Sequence, residues 1–235
     1  MVQVYAVSID SNNLELLLNS YIYLLNEEKR NKIYRFMYIE DKQRTIVGDL
    51  LIKAILMEKL NINYNKVEFY CNKFGKLYLK GFNNIYFNIS HSGKWIVCAI
   101  DDEEIGIDIE EVKPIDINIG AVAFSDNELD LLSRQEEYNK LNFFYRLWTL
   151  KESYVKSVGM GLNMQLKSFS IDVDKVYSHS KILDRYFRQY VIEKNYIVSI
   201  CGLKNKFTEE IKFKNIEELY NKVISQSDYS VQASI

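Results

Sequence analysis

Apolar and polar positions alternate with period two over residues 2–9 and 105–110, the pattern of strands with one buried face. Shorter runs of the same kind predict strands near 67–71, 77–79, 85–90, 95–100, 168–173, 186–192 and 196–202. Elsewhere apolar residues recur at spacings of three and four, which predicts helices over 12–25, 27–37, 40–60, 126–138, 142–158 and 216–224. Leu14, Leu17, Leu18, Tyr21 and Leu25 make the inner stripe of the first; Ile46, Leu50, Leu51, Ala54, Ile55 and Leu60 make that of the third. Gly75, Gly81, Gly93 and Gly106 mark expected turns. Ser125 followed by Glu128 reads as a capping box, and Gly159 with Gly161 closes the long helix. Mixed helices and strands with hairpin-like spacing argue for an α+β fold over a regularly alternating parallel sheet.

Composition narrows the class without changing that picture. The chain has 235 residues, 48% hydrophobic and 26% charged, enough for one large domain or two small ones. No low-complexity linker divides it. The acidic strand at 105–110 lies near the midpoint, with Pro114 just beyond to stop pairing, so the expected halves are 1–104 and 105–235, with a mobile tail after about 225. A net charge of −2 supplies no general attraction to nucleic acid or to an anionic membrane. The N-terminus has no basic stretch before an apolar run, and no apolar run approaches the ~18 residues of a span, so the expected location is the cytoplasm. Cys71, Cys98 and Cys201 are odd in number and far apart, which suits reduced thiols and no zinc site.

Chemistry concentrates in three segments. In Gly106-Ile-Asp108-Ile-Glu110-Glu111, Asp108 and Glu110 share one strand face and lie about 7 Å apart along the strand. A hard divalent cation such as Mg²⁺ is the economical reason for that pairing; a solvent-facing edge is the other reading of the same pattern. Glu111 falls on the opposite face. Trp148, Glu152 and Lys156 follow one helical face at i, i+4, i+8, either as chemistry or as a surface ion pair. Phe87-Asn-Ile-Ser90-His91-Ser92-Gly93 runs a strand into a small-residue turn that can offer a hydroxyl, an imidazole and backbone N–H groups to an anion; a structural histidine is the plainer reading. Lys29, Lys32, Arg44 and Lys76 are scattered cations that either solvate a surface or bind a ligand with several phosphates.

These three segments, in this order and spacing, resemble the signatures of the 4'-phosphopantetheinyl transferases, most of all the surfactin-synthetase-activating (Sfp) type. The resemblance runs from the N-terminal strand, through Glu28-Lys-Arg-Asn-Lys32 and Glu40-Asp-Lys-Gln-Arg-Thr45, to about residue 173. It implies two similar α+β halves with pseudo-twofold symmetry and an active site at their interface. The implied reaction moves the 4'-phosphopantetheine arm of coenzyme A to a serine of an apo acyl or peptidyl carrier protein, releasing adenosine 3',5'-bisphosphate. Carried over to this chain, Asp108, Glu110 and Glu152 would ligate Mg²⁺. Glu152 would act as general base and Lys156 would neutralise the leaving bisphosphate. Lys29, Lys32, Arg44 and His91 would hold the 3'-phosphate, with Ser90 and Lys76 at the phosphate and adenine end and Asp108 beside the pyrophosphate. Trp148 would pack the helix on the acidic strand. Glu111 departs from the family, where a basic residue is familiar. The type further implies service to peptide or polyketide synthetases, as in antibiotic biosynthesis, by a pseudo-dimeric monomer that binds neither nucleic acid nor membrane. Two alternatives stand beside this reading: another Mg²⁺-dependent phosphoryl transferase, or a non-catalytic module binding coenzyme A or a carrier. The first lacks a Walker-type loop, and the second does not explain the full set of acidic residues with Lys156.

Overall fold

A computed structural model of the chain describes residues 1–11 and 14–227, apart from the side chain of Leu162. In chain order its elements are β1 (Gln3–Ser8), α1 (Leu14–Tyr21), α2 (Glu27–Tyr34), α3 (Ile39–Leu60), β2 (Phe69–Cys71), β3 (Leu77–Leu79), β4 (Tyr86–Ser92) and β5 (Trp95–Asp101). The second series is β6 (Ile105–Glu111), α4 (Asp126–Ser133), α5 (Glu137–Val158), α6 (Val173–Tyr177), β7 (Tyr186–Ile192), β8 (Tyr196–Gly202), β9 (Lys212–Phe213) and α7 (Ile216–Ser225).

The fold is α+β and built from two similar halves. One sheet runs β4-β5-β1-β9 and another β6-β8-β7, so the series β1–α3–β4–β5 is repeated by β6–α5–β7–β8. In each series a 22-residue helix covers the sheet. Leu50, Leu51, Phe87, Ile96 and Ile100 fill the N-terminal helix–sheet layer, and Phe144, Leu147, Phe187 and Ile197 fill the C-terminal one. Between the two sheets lies a third apolar layer in which Val4, Ala6, Val97 and Ala99 meet Ile105, Ile107 and Ile109. The isoleucines of β6 thus bury one face of the strand and turn Asp108 and Glu110 toward α5. The period-two alternation requires this once one face is buried.

Several expectations need correction. Gly106 is not in a turn. It sits inside β6, where a Cβ would stand 2.0 Å from the Ser153 carbonyl oxygen and 2.3 Å from the Ser157 nitrogen. A glycine within a strand pattern marks a close approach of backbone, and here α5 lies directly on the strand. Gly75, Gly81 and Gly93 do have positive φ. The capping box at Ser125 and Glu128 is present, but its helix stops at Ser133, and α5 starts at Glu137, earlier than expected.

Residues 168–173 do not form a strand; a short 3-10 turn over Leu166–Ser168 leads through extended chain into α6. The apolar alternation there is real, with Ile171 and Val173 buried, but the backbone pairs with side chains. Ile171 N–H donates to Glu128 at 2.8 Å, and the Phe169 carbonyl accepts from Lys151 at 2.6 Å. Lys151 and Glu128 themselves pair at 2.6 Å with no more than 2% exposure. Deleting one partner of such a buried pair costs about 3–5 kcal/mol.

Trp148 stacks on Phe144 in the C-terminal core, with ring centroids 6.0 Å apart, which leaves its expected packing on β6 neither shown nor overturned. The helix expected over 12–25 is α1 plus a 3-10 turn at Ile22–Leu24; residues 12 and 13 lie outside the described residues. Beyond β8 the chain crosses back. The unpredicted β9 pairs in parallel with β1, and Ile216, Leu219 and Val223 of α7 complete the N-terminal core. The last described helix therefore packs in the other half from the one its sequence position suggests. Most of the expected mobile tail lies outside the described residues. Among the described residues no helix is long and apolar enough to cross a membrane.

Candidate active site

The site forms where β6, β4 and α5 meet. The contact at Gly106 lays α5 along β6, so Glu152 and Lys156, one turn apart, stand over the strand face that carries Asp108 and Glu110. Lys156 Nζ donates to Asp108 Oδ1 at 2.6 Å and to Ser90 Oγ at 2.9 Å. The Ser90 hydroxyl in turn donates to Asp108 Oδ1 at 2.9 Å, closing a three-membered cluster. Asp108 is only 4% exposed, which rules out the solvent-facing edge. Its Oδ2 is buried without a hydrogen-bond partner.

Three carboxyls strain against one another here. Burial raises the Glu110 carboxyl to about 7, and the Asp108 charge adds to this against Ser92, Lys156 and Lys113. Burial and then Asp108 likewise raise Glu152, with Lys156 opposing. An orphaned carboxylate oxygen beside two acids that resist ionisation fits a hard cation with oxygen ligands. Among the described residues, however, no three His, Cys, Asp or Glu side chains stand as a ready ligand cluster. Lys156, not a third carboxylate, is what contacts Asp108.

A raised carboxyl binds its proton more tightly in the folded chain than in the unfolded one. The stability Glu110 contributes is thus full below its ordinary 4.5 and lost as pH rises through about 7. The cation-free protein should melt at a lower temperature at pH 8 than at pH 6, with Glu110→Gln flattening that slope. Identical slopes for the two proteins in a thermal-shift series would contradict the assignment.

The expected phosphate ligands are only partly gathered. His91, on β4 next to Ser90, keeps an exposed face, yet partial desolvation and then the Arg44 and Lys156 charges hold it below its ordinary pKa, with Asp41 opposing. Arg44 donates to the Gly93 carbonyl at 3.0 Å and pairs with Asp41 at 2.6 Å, which fixes it against the same turn. Lys29 is turned inward instead, paired with the buried Asp49, which also takes a 2.7 Å bond from Tyr21 and has Lys53 at 3.4 Å. Lys32 is exposed on α2. Lys76 is 8% exposed and spends its ammonium on Glu104, the Ser157 carbonyl at 3.0 Å and the Ile105 carbonyl at 3.2 Å. It joins the β2–β3 hairpin to the end of α5, a structural commitment that its place after Gly75 does not reveal. Beside it a cleft of about 280 Å³ is lined by Phe74, Lys76, Asn88, Lys156 and Gly159.

Sequence alone also misses Asn88 and Ser92, which bond to β6 from β4. The signal is the small polar residue at every second position, 88, 90 and 92. Glu111 points away from the site toward Tyr196, as its opposite strand face requires.

Comparison with known proteins defines the class. A family model described as the 4'-phosphopantetheinyl transferase superfamily matches residues 104–201, and one described as 4'-phosphopantetheinyl transferase, N-terminal, matches 15–103. Over 203 residues the chain is 34% identical to 4'-phosphopantetheinyl transferase Sfp of Bacillus subtilis (strain 168), covering 83% of this chain and 89% of that protein. It is also 34% identical over 202 residues to 4'-phosphopantetheinyl transferase gsp of Aneurinibacillus migulanus, covering 84% of each. A more distant relative is the human L-aminoadipate-semialdehyde dehydrogenase-phosphopantetheinyl transferase, 28% identical over 205 residues, 75% of this chain and 66% of that protein. The chain belongs to the 4'-phosphopantetheinyl transferase superfamily, a family of transferase enzymes.

Proposed function

We propose that this protein transfers the 4'-phosphopantetheine arm of coenzyme A to a serine of an apo acyl or peptidyl carrier, in a Mg²⁺-dependent reaction that leaves adenosine 3',5'-bisphosphate. The observation that carries the reading is the orphaned Oδ2 of Asp108 beside Glu110 and Glu152, under Lys156. Asp108, Glu110 and Glu152 would hold the cation, which when bound neutralises the pyrophosphate. Glu152 takes the proton of the attacking serine hydroxyl; burial and the Asp108 charge make its carboxylate more basic than usual, with Lys156 opposing. The serine oxygen then bonds to the phosphorus bearing the pantetheine arm as the bond to adenosine bisphosphate breaks. Lys156, already within reach of Ser90 and Asp108, places its positive charge beside the departing phosphate.

His91 and Arg44, clustered at the β4 turn, are assigned to the 3'-phosphate; Lys32 on its exposed helix face and Lys29, once released from Asp49, join them. Ser90 contacts the phosphates. Lys76 shapes the cleft for the adenine end through its backbone and stem. The partners proposed are carrier domains of peptide or polyketide synthetases, served by a monomeric cytoplasmic enzyme; the Sfp-type motifs suggest this, and likeness to Sfp and gsp supports the transferase type.

Incubation with coenzyme A, Mg²⁺ and a panel of apo carriers should add one phosphopantetheine mass at the carrier serine, and chelation by EDTA should stop it. A panel left unmodified would defeat this reading.

A further inference from the structure

β6 lies at the edge of its sheet and pairs with β8 on one side only. The amides on its free edge need partners. Among the described residues no strand supplies them. Side chains of β4, from the other half, take that place: Asn88 Oδ1 accepts from Ile107 N–H at 2.9 Å, and Ser92 Oγ accepts from Glu111 N–H at 3.1 Å. Between them Ser90 engages Asp108. Three alternate residues of β4 thus act as a substitute strand.

Ser92 carries a second duty. An amide can only donate, so the Ser92 oxygen is the acceptor there and its single hydrogen is left for another group. That hydrogen goes to Glu110 Oε2 at 2.9 Å. The bond that sets the register between the halves also decides which oxygen of Glu110 is occupied. No hydrogen bond among the described residues is recorded at Oε1. The Ser92 hydroxyl is thus the one hydrogen-bond donor that fixes the Glu110 carboxylate among the described residues.

We propose that Ser92 is a positioning residue for Glu110, acting through the hydroxyl bridge from the Glu111 amide to the Glu110 carboxylate, and that it sets the affinity for the divalent cation. The inference rests on the cation reading of the site. Behind a metal ligand, loss of such a partner weakens binding by about 10–100-fold. Ser92→Ala should therefore raise the Mn²⁺ dissociation constant, read from the EPR signal of free Mn²⁺, by about tenfold or more. It should raise the Mg²⁺ concentration for half-maximal transfer in parallel, with turnover at saturating Mg²⁺ within about twofold of the unaltered protein. Ser92→Thr keeps the hydroxyl on a residue suited to strands and should retain the affinity within about threefold. In a Glu110→Gln background, Ser92→Ala should cost no further affinity, since the two act as one unit.

A Ser92→Ala protein that binds Mn²⁺ like the unaltered one while merely melting earlier would overturn the proposal, and so would a Thr variant no better than Ala. If the unaltered protein binds no Mn²⁺, the cation reading and this inference fall together. If it binds and Ser92→Ala is silent, only this inference falls.

Discussion

Asp108→Asn should remove transfer while leaving a folded protein. The substitution keeps the side-chain shape and lets the Ser90 hydroxyl and the Lys156 ammonium still donate to an amide oxygen in place of Oδ1. What disappears is the charge that would hold the cation and the nearest counter-charge for Lys156. Loss of one preorganised electrostatic group typically costs about 10²–10³ in turnover, and a metal ligand lies at or above that range. Stability should move little, because Lys156 is 28% exposed and can turn to water. Asp108 also raises both Glu110 and Glu152, so its neutralisation relieves two destabilised acids. Turnover from mass-adduct kinetics and Tm from calorimetry decide the matter together. Near-normal turnover would remove Asp108 from the site, and an unfolded product would make it a structural residue.

The second large effect is expected at Gly106→Ala. One methyl group there meets the Ser153 carbonyl at 2.0 Å and the Ser157 nitrogen at 2.3 Å, and both are backbone atoms in the last two turns of α5. Neither can rotate away. Helix α5 must lift by roughly 1 Å or more, against an overpacking cost of about 1–3 kcal/mol at the usual scale. For a chain of this size each kcal/mol shifts Tm by about 2–4 °C, so a fall of roughly 2–12 °C is expected. The helix carries Glu152 and Lys156 with it. A misplacement of about 1 Å costs on the order of 10²-fold in rate, so molecules that do fold should still be slow. A variant with unchanged Tm and turnover would show that α5 does not rest on β6 as described.

These two positions show what sequence can and cannot disclose. Asp108 and Glu110 are legible because strand alternation is local: once Ile107 and Ile109 are buried, the acids share the other face. Glu152 and Lys156 follow from helical spacing, and the Ser125–Glu128 box from a three-residue motif. The role of Gly106 depends on Ser153 and Ser157, more than 40 residues away, so the same glycine reads locally as a turn. Lys29 and Lys76 are legible as cations, but their partners Asp49 and Glu104 lie 20 and 28 residues along the chain. At 168–173 the alternation correctly marks buried residues, but whether extended chain joins a sheet depends on what meets its amides, here Glu128 and Lys151. The polar series Asn88, Ser90, Ser92 is visible in the sequence; that it borders an open strand edge is not.

The return of α7 to the N-terminal core bears on how the molecule is made. Ile216, Leu219 and Val223 seal a layer whose other members begin at Tyr5, so that layer cannot close until nearly all of the described chain has been synthesised. The early residues must wait, with the face of α3 uncovered, while the second series of elements emerges and folds. Contacts of such long sequence separation slow folding. The two halves look like duplicates, yet the first is not closed by its own stretch of chain: it is completed only by the end of the second.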